Sequence, residues 1–293
     1  MLEVLAFQYT QLPEPGTFVV SFLAIVIGAV LAASLMAPPE GLLSRSYYFQ
    51  RIGIASLALV AVQAAWLWYP TALAYGVSWL MLASDLLSAL AYGAYMIRIA
   101  QARSRDAYGH TGRAWFALVP LVNLVLLFKP GQTPVGSPAA APGSTAAALV
   151  GLGLIILSRL AVPALLNAVE QRTLAGMQDP QIQAAATALR VRALGTAAAL
   201  DILIVAEGAP AEIQTGLTLT AVTRSDLHLT YEFSLDQTDA EVLVDDYRAE
   251  VTSSFCSGLM LYLTAGASAT LHYTRSDGHE LARIELSLAE CTA

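Results

Sequence analysis

Residues 147–169, AALVGLGLIILSRLAVPALLNAV, form the segment that most constrains how this chain can fold. They contain one charged residue, Arg159, and one proline, Pro163. At 1.5 Å per residue, a helix of this length crosses the roughly 30 Å hydrocarbon core of a bilayer. The sequence therefore predicts a membrane-spanning helix between a hydrophobic N-terminal part and a C-terminal part of soluble character.

The composition is typical of a membrane protein, with 56% hydrophobic residues and a mean hydropathy of +0.59. Residues 1–168 hold eight Lys or Arg and five Asp or Glu, a net charge of +3. Residues 169–293 hold seven Arg and seventeen Asp or Glu, a net charge of −10. Because an acidic surface repels phosphate groups, no nucleic-acid partner is expected for the C-terminal part.

Hydrophobic segments that precede the 147–169 helix predict further spans. Three of them, at about 17–36, 52–69 and 73–97, are long enough to cross a membrane. The first follows a stretch without basic residues, so we interpret it as a retained span rather than a secretory signal. The segment Ala114–Phe128 has only 15 residues and would reach about 22 Å as a helix. It is either a thin span or a re-entrant segment.

Basic residues in the short loops predict the orientation of the spans, since such loops stay in the cytoplasm. Six arginines assign two loops to the cytoplasm and the N-terminus to the outside: Arg45, Arg51, Arg98, Arg103, Arg105 and Arg113. Contact with anionic lipid is a second role for them. If 114–128 crosses fully, there are five spans and the C-terminal domain is cytoplasmic. If that segment is re-entrant, there are four spans and the domain lies outside.

The predicted organisation has four parts. Membrane helices occupy 1–129, a Pro/Gly/Ala linker 130–146, the last transmembrane helix 147–169, and an acidic extramembrane domain 170–293. In the last part, alternating and turn residues predict two hairpins, within 217–235 and 269–288, while helices are predicted over 180–194 and 239–264. The order predicts a small α+β domain with an antiparallel four-stranded sheet and helices on one face.

Cys256 and Cys291 both lie in the C-terminal domain. A bridge between them would close a loop of about 35 residues, and it is expected if the domain faces an oxidising compartment. Two unpaired buried thiols are the alternative.

The run around the basic loop, RSRDAYGHTGRAWFALVPLVNLVLLFKPG, together with the upstream SRSYYFQRIG, resembles the bacterial inner-membrane proteins of domain-of-unknown-function family 805. The matching positions within residues 41–131 are Arg105-Asp106, Gly112, Trp115, Pro120 and Asn123. The Leu-His pair that precedes Arg-Asp in that family is absent. The resemblance implies an inner-membrane protein and no defined chemistry.

A second resemblance covers about residues 180–291. The runs LTLTAVTRSDLHLTYEFSL and AGASATLHYTRSDGHELARIELSLAEC, with Cys256 between them, look like a small bacterial envelope domain with one cysteine on its late helix and one at its end. This resemblance implies a periplasmic location and a Cys256–Cys291 bridge.

No motif for catalysis, metal or cofactor binding occurs: the sequence has no nucleotide-binding loop, zinc-ligand spacing or nucleophile elbow. We therefore expect a non-enzymatic protein without a cofactor, whose partners are the lipid bilayer and other membrane-protein subunits. The favoured function is an accessory subunit or assembly factor, a scaffold, of a larger complex in the bacterial inner membrane. A small transporter or a proton- or ion-linked channel is the alternative, and a membrane enzyme comes third.

Two charges lie deep in the predicted spans, Asp85 in the third helix and Arg159 in the last. Because an isolated charge in the bilayer is costly, each should face the protein interior and seek a partner. The sequence predicts an intramembrane ion pair between them, and the transporter alternative would use the same two residues.

Overall fold

The computed structural model describes residues 1–131, 143–236 and 247–292. Most of the predicted linker 130–146 and the start of the helix predicted over 239–264 lie outside these ranges. The chain divides into two compact units, Met1–Ile182 and Gln183–Ala293. This division comes later than the predicted boundary at residue 170, since the helix that begins at Thr145 continues to Gly176.

The first unit is helical. Its helices are α1 (Leu2–Thr10), α2 (Glu14–Leu35), α3 (Arg45–Gln63), α4 (Tyr69–Ala74), α5 (Trp79–Tyr108), α6 (Pro120–Phe128) and α7 (Thr145–Gly176). Among the described residues, four helical segments are long and apolar enough to cross a membrane: Glu14–Leu35, Arg45–Ala74, Trp79–Tyr108 and Thr145–Gly176. The predicted membrane part of several hydrophobic helices is thereby confirmed in outline.

The segment at 114–128 does not form a long helix. A 3-10 turn over Ala114–Leu118 is followed by Val119 in an extended conformation, and α6 then begins at Pro120. Because α6 has nine residues, it reaches only about 14 Å, less than half the hydrocarbon thickness. The segment is therefore absent from the four candidate spans, as the re-entrant alternative requires.

The third span is displaced along the chain from its predicted position. It was expected over 73–97, but α5 begins at Trp79 and ends at Tyr108. Gly76 adopts a positive φ of 66° in the turn that precedes it, which ends α4 and delays the start of α5. Residues 98–108, predicted as a basic loop, are consequently the last turns of a helix.

Two close helix contacts are made through glycine. A Cβ atom on Gly28 of α2 would lie 2.0 Å from the carbonyl oxygen of Leu90, and one on Gly93 of α5 would lie 1.9 Å from that of Ile25. On α7, a Cβ on Gly151 would lie 2.4 Å from the backbone nitrogen of Gln50. Without a Cβ the backbones approach closely, which is how small residues pack helices in membranes.

The second unit is an α+β domain. Helix α8 (Pro180–Leu194) leads into it, followed by α9 (Thr196–Glu207), β1 (Ala211–Gln214), β2 (Leu217–Ser225), β3 (His228–Leu235), α10 (Arg248–Thr264), β4 (Ser268–Arg275), β5 (Glu280–Leu286) and α11 (Leu288–Thr292). The strands β2 and β3, and β4 and β5, form the two predicted hairpins. The expectation of an α+β domain is confirmed.

The sheet differs from the expected antiparallel four-stranded one. It has five strands in the order β1-β2-β3-β4-β5, and β3 pairs with β4 in parallel. The physical reason is the connection: helix α10 lies between β3 and β4 in the chain, so β4 enters the sheet from the same end as β3. The additional strand, β1, has four residues and an exposed, mainly polar pattern that carries no strand signal.

The core of the second unit lies on one face of this sheet. Alternate residues of the strands point inward, among them Leu229, Tyr231 and Phe233 of β3, and they pack with Leu200 of α9 and Leu259 of α10. Helices α9 and α10 therefore share one face of the sheet, in agreement with the expected layering.

Candidate functional site

Arg103 is the most enclosed charged side chain of the described residues, with an exposed fraction of 0%. Its guanidinium donates hydrogen bonds to the carboxylate of Asp106, to the carbonyl oxygen of Leu126 at 2.9 Å, and to that of Lys129. It thus satisfies carbonyl groups at the end of α6, where the helix provides no donors. A buried side chain does not reach lipid, so lipid contact does not account for this position, while the role of Arg103 in topology stays a prediction.

Two other predicted topology arginines also bind backbone carbonyl groups. Arg98 donates to the carbonyl groups of Met36 and Ala37 just after α2, and Arg105 donates to that of Pro39 at 2.5 Å. These contacts place positive charge at the C-terminal end of a helix, where the helix dipole favours it.

The remaining three arginines are exposed. Arg113 lies over the Tyr108 ring, 4.3 Å from its centre, while Lys129 lies 3.7 Å from the same centre. Arg45 and Arg51 lie on the first turns of α3. For these residues a role in orientation or lipid contact stays a prediction.

Asp85 is buried, with an exposed fraction of 6%, and its partner is on α1. The Tyr9 hydroxyl donates to a carboxylate oxygen of Asp85 at 2.7 Å and lies 3.4 Å from the Ser21 hydroxyl. Glu3 of α1 accepts hydrogen bonds from the Ser78 hydroxyl and the Trp79 amide at the start of α5. Helix α1, which the sequence did not predict, therefore supplies polar partners for this end of α5.

Arg159 lies elsewhere. Its side chain is exposed on α7, and no ion pair joins it to Asp85 among the residues described. The structure therefore does not contain the predicted ion pair between Asp85 and Arg159. Because α5 begins at Trp79, Asp85 lies in its second turn rather than at its middle, whereas Arg159 is near the middle of α7. A buried carboxylate in a membrane span needs a hydrogen-bond donor. That requirement is the sequence feature from which a donor such as Tyr9 could be expected.

Cys256 of α10 and Cys291 of α11 form a disulfide, with their Cα atoms 5.4 Å apart. The bridge attaches the last short helix of the domain to α10. It is the pairing that the resemblance to an envelope domain implies.

Replacing both cysteines with alanine should lower the free energy of unfolding by about 3–4 kcal/mol, because the open chain regains the entropy of a 35-residue loop. Thermal unfolding of the full chain in mild detergent, with and without reductant, measures this effect. The wild type should lose stability in reductant and the double variant should not respond. Equal sensitivity of the two proteins to reductant would contradict the bridge.

A cavity of about 620 Å³ lies in the second unit between the sheet, the β1–β2 turn and the start of α10. Its described lining is mainly apolar and includes an aromatic group: Tyr231, Phe233, Phe255 and Tyr273. The Phe233 and Tyr273 rings stack with centres 4.8 Å apart, and Phe255 of α10 meets the Tyr231 ring edge-on at 5.3 Å. This arrangement follows from the parallel register, which places Phe233 beside Tyr273.

One ionisable group stands out in this lining. Burial raises the pKa of the Glu207 carboxyl, and its hydrogen bond with the Tyr231 hydroxyl acts in the opposite direction. Burial also raises the pKa of Tyr231, and the nearby Glu207 charge raises it further. Burial alone raises the pKa of Tyr273 to about 12. The raised pKa values keep both tyrosines neutral, so Glu207 is the carboxyl group that lies beside this aromatic surface.

The edge of the cavity is accessible. Ile213 of β1 is 56% exposed and Tyr247 is 53% exposed, although both are large and apolar in character. A cavity of this volume, with an aromatic wall and polar groups that include Glu207, Gln214 and Glu250, suits a ligand or peptide segment that combines apolar and polar groups. The sequence does not predict this site because its parts come from β1, β2, β3, β4, α9 and α10, which only the fold brings together.

The described residues contain no group of three or more His, Cys, Asp or Glu side chains that could hold a metal ion. In its described residues the protein combines four candidate membrane-spanning helices with a disulfide-bonded α+β domain that has an aromatic cavity.

No protein-family model matches the chain, and no curated protein matches it. Two solved structures are similar to a third of it. One is described as a secreted protein of Pseudomonas aeruginosa, at 20% identity over 33% of this chain and 92% of that chain, with a TM-score of 0.30. The other is the pilotin EpsS of the Vibrio vulnificus type 2 secretion system, at 18% identity over 33% and 89%, with a TM-score of 0.28. Scores this low establish neither a shared fold nor a shared function.

Proposed function

We propose that this protein is a non-enzymatic accessory subunit or assembly factor of a larger complex in the bacterial inner membrane, and that its C-terminal domain docks a partner in the periplasm. The observation that carries the proposal is the aromatic cavity with its exposed edge at Ile213 and Tyr247. Exposed apolar surface next to a cavity is typical of an interaction site.

The periplasmic side is favoured by two features. A disulfide is typical of oxidising compartments. The four candidate spans of the described residues are an even number, which puts both ends of the chain on the same side, and the arginines at the start of α3 and around the end of α5 favour the N-terminus outside.

The charge of the site indicates the kind of partner. Glu207 and Glu250 both line the cavity, and the domain as a whole is acidic. A partner segment with apolar side chains next to a Lys or Arg would fill the cavity and neutralise Glu207. The transporter alternative has less support, because Asp85 and Arg159 do not form a shared site.

The proposal is tested by isolating the tagged full chain from native membranes in mild detergent. We expect a larger complex, and a several-fold loss of the co-purifying partner in Ile213→Asp and Glu207→Gln. Val205→Asp is the matched control, because Val205 is 80% exposed in the same domain and does not line the cavity. A wild-type chain that runs alone, without partner or self-association, would overturn the proposal.

A further inference from the structure

Arg159 occupies an unusual position in the membrane part. From Arg159 to Glu170, the next charged residue of α7, is eleven residues, or about 16 Å along a helix. In the other direction, α7 has no charged residue before its start at Thr145. Arg159 is therefore placed near the middle of the bilayer, more than a side chain's length from either headgroup layer.

The Arg159 side chain is exposed and lies outside the side of α7 that packs on α3. Helix α7 contacts α3 through Gly151, and Ser158 is buried on the same side. Arg159 is exposed and has no hydrogen bond or ion pair with any residue in the described ranges. A cation at this depth normally faces a protein partner or a water-filled space, because lipid tails cannot solvate it.

Pro163 lies one turn after Arg159 and removes a helix hydrogen bond at the same level. In an α-helix the carbonyl of residue 159 bonds to the backbone N–H of residue 163, and proline has no N–H. The carbonyl of Arg159 therefore receives no hydrogen bond from the backbone of residue 163, one turn from the guanidinium.

The residues around Arg159 form a seam suited to another helix. Leu152, Ile156, Arg159, Pro163 and Leu166 recur at intervals of four and three residues and are all exposed. This spacing keeps the five side chains on one side of the helix, as in helices that pack lengthwise against each other.

We infer that this seam docks a transmembrane helix of a different protein, and that this helix carries an Asp or Glu opposite Arg159. The need for a negative charge opposite Arg159 determines which helix can occupy the seam. A second copy packed symmetrically would place Arg159 against Arg159, and Asp85 of a second copy is buried behind Tyr9. The inference deepens the proposed function by naming the chemistry of the membrane partner, but it uses a surface separate from the aromatic cavity.

Photo-cross-linking in native membranes tests the docking. A benzophenone amino acid at position 156 should cross-link to another membrane protein whose captured span contains Asp or Glu. The matched control is the same probe at position 157, because Ile156 and Leu157 are both 51% exposed at one depth while Leu157 points to another side of α7. We expect at least a tenfold weaker protein cross-link from position 157.

Variants of Arg159 then test the charge. Arg159→Leu should abolish the cross-link from position 156 and Arg159→Lys should retain most of it, while the thermal midpoint in detergent does not fall in either variant. The two charges can also be exchanged, by combining Arg159→Asp with an arginine that replaces the Asp or Glu of the partner. This combination should restore the cross-link from position 156. Cross-links only to lipid, only to a second copy of the chain, or unchanged by Arg159→Leu would each overturn the inference. If the complex survives Arg159→Leu but is lost in Ile213→Asp, the docking inference fails and the proposed function stands.

Discussion

Replacing Arg103 with methionine is expected to lower the free energy of unfolding by about 3–5 kcal/mol. The substitution keeps most of the side-chain volume but leaves the buried carboxylate of Asp106 without its counter-charge. It also removes the donors to the carbonyl groups of Leu126 and Lys129. Thermal or denaturant unfolding of the purified chain in mild detergent measures the loss.

Two further variants separate the ion pair from a general effect of losing an arginine. Arg113→Met removes an exposed arginine that lies over the ring of Tyr108, the last residue of α5. It should lower the free energy of unfolding by less than about 1 kcal/mol. Adding Asp106→Leu to Arg103→Met should recover part of the loss, since the uncompensated carboxylate is then gone. A double variant whose loss equals the sum of both single losses would show that Arg103 and Asp106 act independently.

The substitution Gly151→Val should lower the free energy of unfolding by about 1–3 kcal/mol, the usual cost of overpacking, because it disrupts the contact between α3 and α7. A Cβ there would lie 2.4 Å from backbone atoms of Phe49 and Gln50, so the helices must separate. The expected result is a lower thermal midpoint in detergent and faster proteolysis at the ends of α7.

Gly153→Val provides the control on the same helix. A Cβ on Gly153 has no other atom within 4 Å, so valine at this position changes helix propensity without creating a clash. The difference between the two variants isolates the contact with α3. Equal midpoints for Gly151→Val and Gly153→Val would show that α3 and α7 do not pack as the structure has them.

Proximity in three dimensions explains which parts of the site the sequence could not predict. Glu207 carries no motif, and it becomes notable only beside Tyr231, which comes 24 residues later in the chain. Val251, Phe255 and Leu259 recur every four residues, a spacing that predicts one buried helix face, and Phe255 is packed against the core. Its contact with the cavity depends on how α10 lies across the sheet.

Elements with a local signal can be predicted from the amino-acid sequence. Apolar length predicts the long helices, and the alternation in 228–235 predicts β3 because side chains of a strand point to opposite faces in turn. The faces along which the helices meet can be read only from the folded chain. Every face of a membrane helix is apolar, so periodicity does not show that α1 brings Tyr9 to Asp85 or that Arg103 is enclosed by α6. Likewise, the direction of β4 depends on the connection through α10 rather than on the residues of β4 itself.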